Sequence, residues 1–404
     1  MNRAARQKQW LRVHWAIGLF AGALFAVMGL TGSALVFYQA IDEWLNPDRL
    51  IIEGDGTYRS FDDMAAAARA ARPDLTGPYG LFLPQSRSGV VEAWFKAPAG
   101  DAEHVRDIEV TIDPYRAEVL SRDRIWGRTV VSFIYELHKA WLLDEVGETV
   151  VGGMGLLLVL SIGSGVYLWW PKPEKYRLAI TFNPKGSRIR RQYDAHKLAG
   201  IAGSLVLLLL AGTGIYLEFP AYVVPLVKVV LPVPGETEWR STAKPDVRPI
   251  SVDQAVTIAM QRLPDGELKW IGLPLQADDV FQVGLRRPEE VRRTSSDSIV
   301  WLDQYSGMVL QVQDWRRFTA GETFLAWLFP LHNGEAFGLT GRWVVCFTGV
   351  IPLVLYVTAL RMWWLKRQAH RRQRIKTETP VEPARPSFRL DTIESINRQS
   401  DLDR

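Results

Sequence analysis

The chain has 404 residues, 48% of them hydrophobic and 23% charged, with a formal net charge of +4. This length allows more than one domain. The single cysteine, Cys346, excludes an internal disulfide, a four-cysteine iron–sulfur cluster and Cys-x-x-Cys-His attachment of a cofactor, so we interpret it as a packing residue. The basic residues fall beside apolar stretches, and their excess therefore does not predict a nucleic-acid partner.

Four strongly apolar stretches, at about 15–38, 149–170, 198–219 and 343–364, divide the chain. Each has roughly 22 residues, which is enough for a helix to cross the hydrocarbon core of a bilayer. The first is too long for the apolar part of a signal peptide, and no clear cleavage motif follows it. We therefore predict four transmembrane helices, the first of them uncleaved.

Lysine and arginine residues are concentrated in three segments that the four helices place on one side of the membrane. These are Arg3, Arg6, Lys8 and Arg12, the basic loop 171–195, and Lys366, Arg367, Arg371, Arg372 and Arg374. Because such loops stay in the cytoplasm, both ends of the chain are expected there. The segments 39–135 and 220–330 then lie outside, in the periplasm of a Gram-negative cell, and the protein is expected in the inner membrane.

The two halves of the chain are related by an internal repeat. The matches, at separations of 182 to 194 positions, include His14 with His196, Thr31-Gly32 with Thr213-Gly214, Leu137-His138 with Leu331-His332, and Trp169-Trp170 with Trp363-Trp364. Since each half crosses the membrane twice, the repeats are parallel and related by an axis along the membrane normal. That axis pairs His14 with His196 at one depth, and His138 with His332 at another.

Each external segment is predicted to be a small α+β unit. Ser60 and Ser251 are the N-caps of short helices. Alternating patterns predict strands at 90–96, 108–112, 280–285 and 299–302, with hairpin turns at 113–116 and 303–307. Neither segment contains a nucleophile elbow, a phosphate loop or a metalloprotease helix motif, so both are interpreted as binding or docking modules.

The paired histidines predict a cofactor site at each depth. Neutral imidazole is a good iron ligand, and imidazoles from two facing helices fill both axial positions of a haem. Without cysteines for attachment, such a haem is b-type. Zinc is a rival, but it prefers three or four protein ligands, and only Asp194 lies close to the inner pair in sequence. A proton relay is a second rival, because ionisable residues inside a membrane often mark pathways.

The outer histidines, His138 and His332, each lie well before the apolar part of the following helix. A single straight helix from the first of them to the end of its span would be about 48 Å long, more than the bilayer core. We therefore expect breaks at Gly147 and at Gly334 or Gly338. The outer site would then lie near the external surface, within reach of a soluble acceptor.

Three cations near the outer site are candidate partners of anionic haem propionates. These are Arg128, Lys139 and Arg342. Ordinary snorkelling of an interfacial cation is the simpler explanation for each taken singly. His104 has a threonine at the corresponding position of the repeat, and His370 lies in a basic segment, so neither is assigned a site.

Several motifs together resemble those of a known family. They are Arg12-Val13-His14-Trp15 with Gly18, Tyr193-Asp194-Ala195-His196-Lys197 with Gly200, Glu136-Leu137-His138, and Leu331-His332-Asn333-Gly334 with Phe337-Gly338-Leu339 and Gly341-Arg342. From about 8 to 368 the chain resembles the PepSY-associated transmembrane-helix proteins, also called iron-regulated membrane proteins. The inserts are similar to PepSY modules.

The resemblance implies a fold and an activity. The fold is a membrane bundle of four helices in two parallel repeats, with two periplasmic α+β inserts. The family includes inner-membrane ferric-siderophore reductases with two b-type haems. By resemblance, His14 and His196 would ligate the inner haem and His138 and His332 the outer one. The expected reaction reduces siderophore-bound Fe(III) to Fe(II) at the periplasmic face, which loosens the iron.

The chain has no G-x-G-x-x-G motif on a βαβ pattern, so the electron donor is expected to be separate, either quinol or a cytoplasmic reductase. A non-redox protein that binds or regulates a periplasmic partner is one alternative. A siderophore or iron permease is another, although no polar, broken helix at mid-membrane is evident.

The predicted organisation has eight segments. They are the cytoplasmic N-terminus with the first helix (1–38), the first periplasmic domain (39–135), the outer-ligand segment with the second helix (136–170), the basic cytoplasmic loop (171–195), the third helix (196–219), the second periplasmic domain (220–330), the outer-ligand segment with the fourth helix (331–365), and a disordered cytoplasmic tail (366–404).

Overall fold

Long apolar helices and one antiparallel sheet make up the structure. A computed structural model describes residues 3–54, 56–96, 107–235, 237–243 and 247–378, with side chains up to Arg372. The helices are α1 (Arg3–Phe20), α2 (Gly22–Leu35), α3 (Tyr38–Leu45), α4 (Pro47–Leu50), α5 (Phe61–Ala71), α6 (Val130–Ala140), α7 (Asp144–Trp169), α8 (Tyr176–Ala179), α9 (Arg188–Glu218), α10 (Pro220–Val230), α11 (Val252–Arg262), α12 (Ala320–Asn333) and α13 (Gly338–Glu378).

Within the described ranges, three helical stretches are long and apolar enough to cross a membrane. They are α7, α9 and Glu335–Arg372, which includes most of α13. The pair α1 and α2 also qualifies if it counts as one span, but it bends by 59° between Phe20 and Gly22. The predicted first span over 15–38 therefore falls on two helices joined at a bend, and it makes a fourth span only if this pair counts as one. The bend falls beside a glycine, and Gly22 lies so close to the Tyr356 ring that a Cβ would come within 2.7 Å of it.

The helix breaks next to the outer histidines lie partly where they were predicted. Helix α12 ends at Gly334 (φ +83°), and α13 begins at Gly338 (φ +60°), both in conformations that favour glycine. The break predicted at Gly147 occurs earlier, after Ala140, where Trp141 and Leu142 adopt positive φ angles of 49° and 60°. Gly147 lies inside α7 and against the Ala140 carbonyl, so its missing side chain permits close packing rather than a break.

The fourth predicted span does not end at 365, because α13 continues to Glu378. The first thirteen residues of the segment predicted as a disordered tail are thus helical. Residues 379–404 lie outside the described residues.

The two segments predicted to be external, 39–135 and 220–330, share one sheet rather than forming separate modules. Its strands are β1 (Gly80–Phe82), β2 (Val91–Lys96), β3 (Asp107–Asp113), β4 (Glu118–Ile125), β5 (Glu267–Gly272), β6 (Val280–Arg286), β7 (Ile299–Asp303) and β8 (Val309–Gln313). Their order in the sheet is β4-β3-β2-β1-β5-β6-β7-β8. The four predicted strands occur as β2, β3, β6 and β7. The antiparallel pair β1–β5, which was not predicted, joins the two halves.

Helices α5 and α11 cover one face of this sheet, and their N-termini cap each other. Ser60 and Ser251 are the N-caps, as predicted. The Asp62 carboxylate also accepts the N–H groups of Val252 (2.9 Å) and Asp253 (3.2 Å). The Asp253 carboxylate accepts those of Phe61 (3.0 Å) and Asp62 (3.1 Å) in return. A carboxylate at a helix N-terminus satisfies free N–H groups, so this exchange fixes the two external segments together.

The opposite face of the sheet carries polar and aromatic side chains and contacts the helical region. Arg124 on β4 is buried and pairs with Asp42 on α3 at 2.6 Å, and its Nε lies 3.1 Å from Glu109. Burial, and then repulsion from Glu92, raise the pKa of Glu109 to about 8 in spite of the Arg124 charge. This buried cluster links the sheet to the end of α2, since α3 follows that helix directly.

Candidate functional site

Four histidines from four helices form two pairs. His14 on α1 and His196 on α9 have ring centres 6.3 Å apart and ring planes at 86°. His138 on α6 and His332 on α12 also have ring centres 6.3 Å apart, with planes at 56°. The structure therefore brings together the same residues that the repeat axis pairs.

In the inner pair, each ring is held through Nδ1 by a neighbouring spanning helix. His14 Nδ1 lies 3.1 Å from the Ser161 carbonyl and 3.0 Å from the Ser164 hydroxyl of α7. His196 Nδ1 lies 3.1 Å from the Leu355 carbonyl, and Thr358 Oγ1 of α13 is 3.0 Å away. A carbonyl oxygen can only accept, so Nδ1 carries the proton in both rings and Nε2 keeps its lone pair for a metal.

In the outer pair, each ring lies against a threonine hydroxyl and a main-chain carbonyl of the same helix, that of Met28 for His138 and that of Leu210 for His332. Thr31 Oγ1 lies 3.0 Å from His138 Nδ1, and Thr213 Oγ1 lies 2.9 Å from His332 Nδ1. Each hydroxyl donates its one hydrogen to a carbonyl of its own helix, at 2.9 Å for Thr31 and 2.8 Å for Thr213. The hydroxyl oxygen must then accept from Nδ1–H, which again leaves Nε2 free to ligate.

The ring spacing agrees with a metal held between two imidazoles. Two metal–nitrogen bonds of roughly 2 Å, extended by about 1.1 Å from each nitrogen to its ring centre, give about 6 Å. The observed separation in each pair is 6.3 Å. These donor sets therefore fit a group that takes one imidazole on each side, as a haem iron does.

Glycines make room for three of the four rings. A Cβ at Gly32 would lie 2.9 Å from His138 Cε1, and one at Gly214 would lie 3.2 Å from His332 Cε1. A Cβ at Gly165 would lie 3.1 Å from His14 Cε1. Because real Cβ contacts are rarely so short, a side chain at any of these positions would displace the ring.

Other metals have less support in the described part of the chain, where no group of three or more histidine, cysteine, aspartate or glutamate side chains converges. Asp194, the one acidic neighbour considered for zinc, is committed elsewhere. Its carboxylate accepts from Arg190 Nε (2.9 Å), Lys197 Nζ (2.9 Å) and the Asn183 amide (3.2 Å). It fixes the basic loop to the start of α9.

The three candidate propionate partners occupy different settings. Arg342 donates from Nε to the Val36 carbonyl at 3.0 Å and lies 4.8 Å from the Phe37 ring centre. Lys139 pairs with Glu148 at 2.7 Å, and Arg128 is exposed. Their role toward a haem stays a prediction.

The remaining two histidines take no part in these pairs. His370 is exposed near the end of α13. His104 lies outside the described residues.

The residues that position the imidazoles were missed as functional residues, although one signal pointed to them. Thr31-Gly32 and Thr213-Gly214 match in the repeat and supply both the hydroxyl and the cavity for each outer ring. Ser164 and Thr358 match in the same way at the inner pair. Their occurrence at equivalent positions of the two halves singled these residues out in the sequence. Only the contacts in the structure show that they position the imidazole rings.

The fold and the site define a class: a membrane protein with apolar helices, an antiparallel sheet and two pairs of histidines. Residues 11–366 match the family described as PepSY-associated TM region, and the chain belongs to that family. The family predicted from the motifs is thereby confirmed, and membership indicates a membrane protein of the iron-regulated group. No curated protein matches the chain.

Proposed function

We propose that this protein conducts electrons across the inner membrane through two b-type haems and reduces ferric siderophores at the periplasmic face. The observation that carries the proposal is the pair of bis-imidazole sites. Both have the same 6.3 Å spacing, and in all four rings Nδ1 is engaged so that Nε2 is left for iron. His14 and His196 would hold the inner haem, and His138 and His332 the outer one.

Haem would supply a one-electron Fe(III)/Fe(II) couple when bound. The side chains of the chain decide how that couple is used. With a histidine from each of two helices holding it, such a haem would favour electron transfer over oxygen chemistry. The fixed Nδ1–H hydrogen bonds hold each ring in place and increase its basicity as a ligand.

The topology supports this direction of transfer. We infer four spans, with α1 and α2 counted as one, arranged as two parallel repeats with both ends of the chain in the cytoplasm. The inner pair then lies near the cytoplasmic side. The outer pair lies beside the sheet, which would be periplasmic. Each electron that leaves the outer site would reduce one chelated Fe(III) to Fe(II). The donor of electrons to the inner site would be quinol or a separate cytoplasmic reductase.

The decisive experiment is a reduced-minus-oxidised spectrum of the purified protein in detergent, with haem counted per chain. We expect a low-spin b-type spectrum at about two haems per chain, and re-oxidation of the reduced protein by a ferric siderophore. His14→Ala and His138→Ala should each remove one haem, whereas His370→Ala, at an exposed position, should remove none.

A colourless protein from cells with ample haem would overturn the proposal. The external sheet would then be the functional part, in a protein that binds or regulates a partner without redox chemistry.

A further inference from the structure

A groove of about 720 Å³ lies on the sheet face opposite α5 and α11. That volume is in the range of pockets that hold small ligands. Its aromatic lining comes from both halves of the sheet and from the segment before α11, and comprises Tyr79, Phe82, Trp239, Trp270 and Trp301.

Glycines on the sheet keep the groove open. Gly80 on β1 and Gly272 on β5 face each other across the junction of the two halves, and both line the groove. A Cβ at Gly80 would lie 3.2 Å from the Phe82 ring. At Gly284, on β6, a Cβ would collide with the Trp270 indole, so this glycine lets the indole lie flat on the strand. Glycine inside a strand often marks such a close approach by a ligand or side chain.

The charges around the groove are mainly negative. Glu238, Asp278 and Asp279 line it, and among the residues that the structure describes Arg240 is the one basic side chain in the lining. Arg240 is already paired with Asp278 at 2.5 Å and with Glu238 at 3.1 Å. A ligand with net negative charge would therefore be repelled, whereas the aromatic faces favour an uncharged or cationic ligand with apolar surface.

A row of aromatic rings links the groove to the helix that carries His138. The ring centres are 6.5 Å apart from Phe82 to Trp94, and 5.3 Å apart from Trp94 to Trp126 and from Trp126 to Tyr135. Tyr135 lies on α6, three positions before His138.

Two carboxylates fix the indoles of this row. Trp94 Nε1 donates to Glu92 at 3.2 Å, and Trp126 Nε1 donates to Glu136 at 2.6 Å. The wall of the groove that contains Phe82 thus has a continuous row of ring contacts to a proposed haem-ligand helix.

We propose that this groove binds the ferric chelate, one of neutral or positive charge, and that the row from Phe82 to Tyr135 couples it to the outer site. The inference rests on the proposed function and names its substrate site and substrate class. One electron passes from the reduced outer site to the chelated iron, which goes from Fe(III) to Fe(II). No atom or proton is transferred, and the rings are neither oxidised nor reduced.

Binding is tested on the full-length protein with redox-inert probes. An uncharged gallium(III) trihydroxamate and a trianionic gallium(III) tricatecholate are compared by equilibrium dialysis. We expect the trihydroxamate to bind and the tricatecholate to bind at least ten-fold more weakly. Trp301→Leu should weaken binding of the trihydroxamate about ten-fold, from the loss of one aromatic contact. Trp315→Leu, in the same sheet region but outside the groove, should leave it unchanged.

Coupling is tested by stopped-flow re-oxidation of the reduced protein with the ferric trihydroxamate. Trp94→Leu should slow the first-order step several-fold and leave the gallium-probe affinity unchanged, because Trp94 does not line the groove. An unaltered haem spectrum serves as the folding control for each variant.

The outcomes separate this inference from the proposed function. If the wild type is re-oxidised normally but Trp301→Leu changes neither binding nor rate, the groove is not the site and the electron conduit stands. The same conclusion follows if the uncharged probe does not bind or the anionic probe binds equally well. If the groove binds the probe as expected but the chain holds no haem, the site stands and the proposed function fails.

Discussion

The inner and outer histidine pairs have the same ring spacing but lie on different kinds of helix. Both inner histidines lie on helices of the candidate spans, and each Nδ1 has two partners, a carbonyl and a hydroxyl. The outer histidines lie on the short helices α6 and α12, next to helix breaks, and each ring also has a carbonyl, of Met28 or Leu210, and a threonine hydroxyl. All four rings thus have the same kind of partners, and the two sites differ in the helices that carry the histidines: long apolar helices for the inner pair, short helices beside breaks for the outer pair.

Filling the cavity of an outer ring should have the largest effect. Gly32→Val places a branched side chain where His138 lies, so we expect loss of the outer haem and about one haem remaining per chain. Haem content per chain, measured after extraction, tests this. Gly18→Val is the matched control, since a Cβ there meets nothing within 4 Å. Two haems in the Gly32 variant would show that the cavity is not required.

Removing the hydroxyl partners should affect the two pairs alike. Thr213→Val removes one of the two partners of His332 Nδ1, and loss of such a contact typically lowers metal affinity about 10–100-fold. Thr358→Val should have a similar effect on His196, because in each variant a main-chain carbonyl, of Leu210 or Leu355, still accepts from the ring. The rate of haem transfer to an excess of apo-globin provides the measurement. A much larger effect of one of the two substitutions would contradict this equivalence of the sites.

The strained backbone at the helix breaks beside the outer histidines can be tested by adding a side chain at a glycine and by removing one from a leucine. Gly334→Ala should destabilise the protein by more than 1 kcal/mol, because φ is positive there and a Cβ would meet the Gly341 carbonyl at 2.6 Å. Leu142→Gly should be neutral or stabilise the protein by about 1 kcal/mol, since a non-glycine residue at φ +60° is strained. Thermal unfolding in detergent measures both. A stabilised Gly334→Ala variant would argue against the break at that position.

The last expected effect is a pH dependence of the stability of the sheet next to the outer site. Burial raises the pKa of Glu109 from 4.5 to about 8 in the folded protein. The folded state therefore holds this proton more tightly than the unfolded state does. Its contribution to stability is complete below about pH 4.5 and is lost as the pH rises through about 8.

Glu109→Gln should accordingly reduce the fall in melting temperature between pH 5 and 8. Glu118→Gln, at an exposed position next to β3, is the control and should not change that slope. An unchanged slope in the Glu109 variant would show that this carboxyl does not carry the dependence.

Much of the architecture was predictable because it depends on local pattern. The lengths of the apolar runs predicted α7, α9 and α13, and the N-cap serines predicted where α5 and α11 begin. Alternation predicted β2, β3, β6 and β7. The bend in the first span was not predictable from hydropathy, since an apolar run gives its length and not its straightness.

The sequence alone determined which histidines correspond, because equivalent positions in two halves must have equivalent surroundings. Only the tertiary structure decided how these parts meet. The short strand β1 has three residues, too few for a recognisable alternation, and it becomes a strand by pairing with β5 from the other half. That pairing creates one sheet and the groove across its junction. The contacts of Thr31 and Thr213 likewise join helices far apart in the chain, so no local pattern could show them.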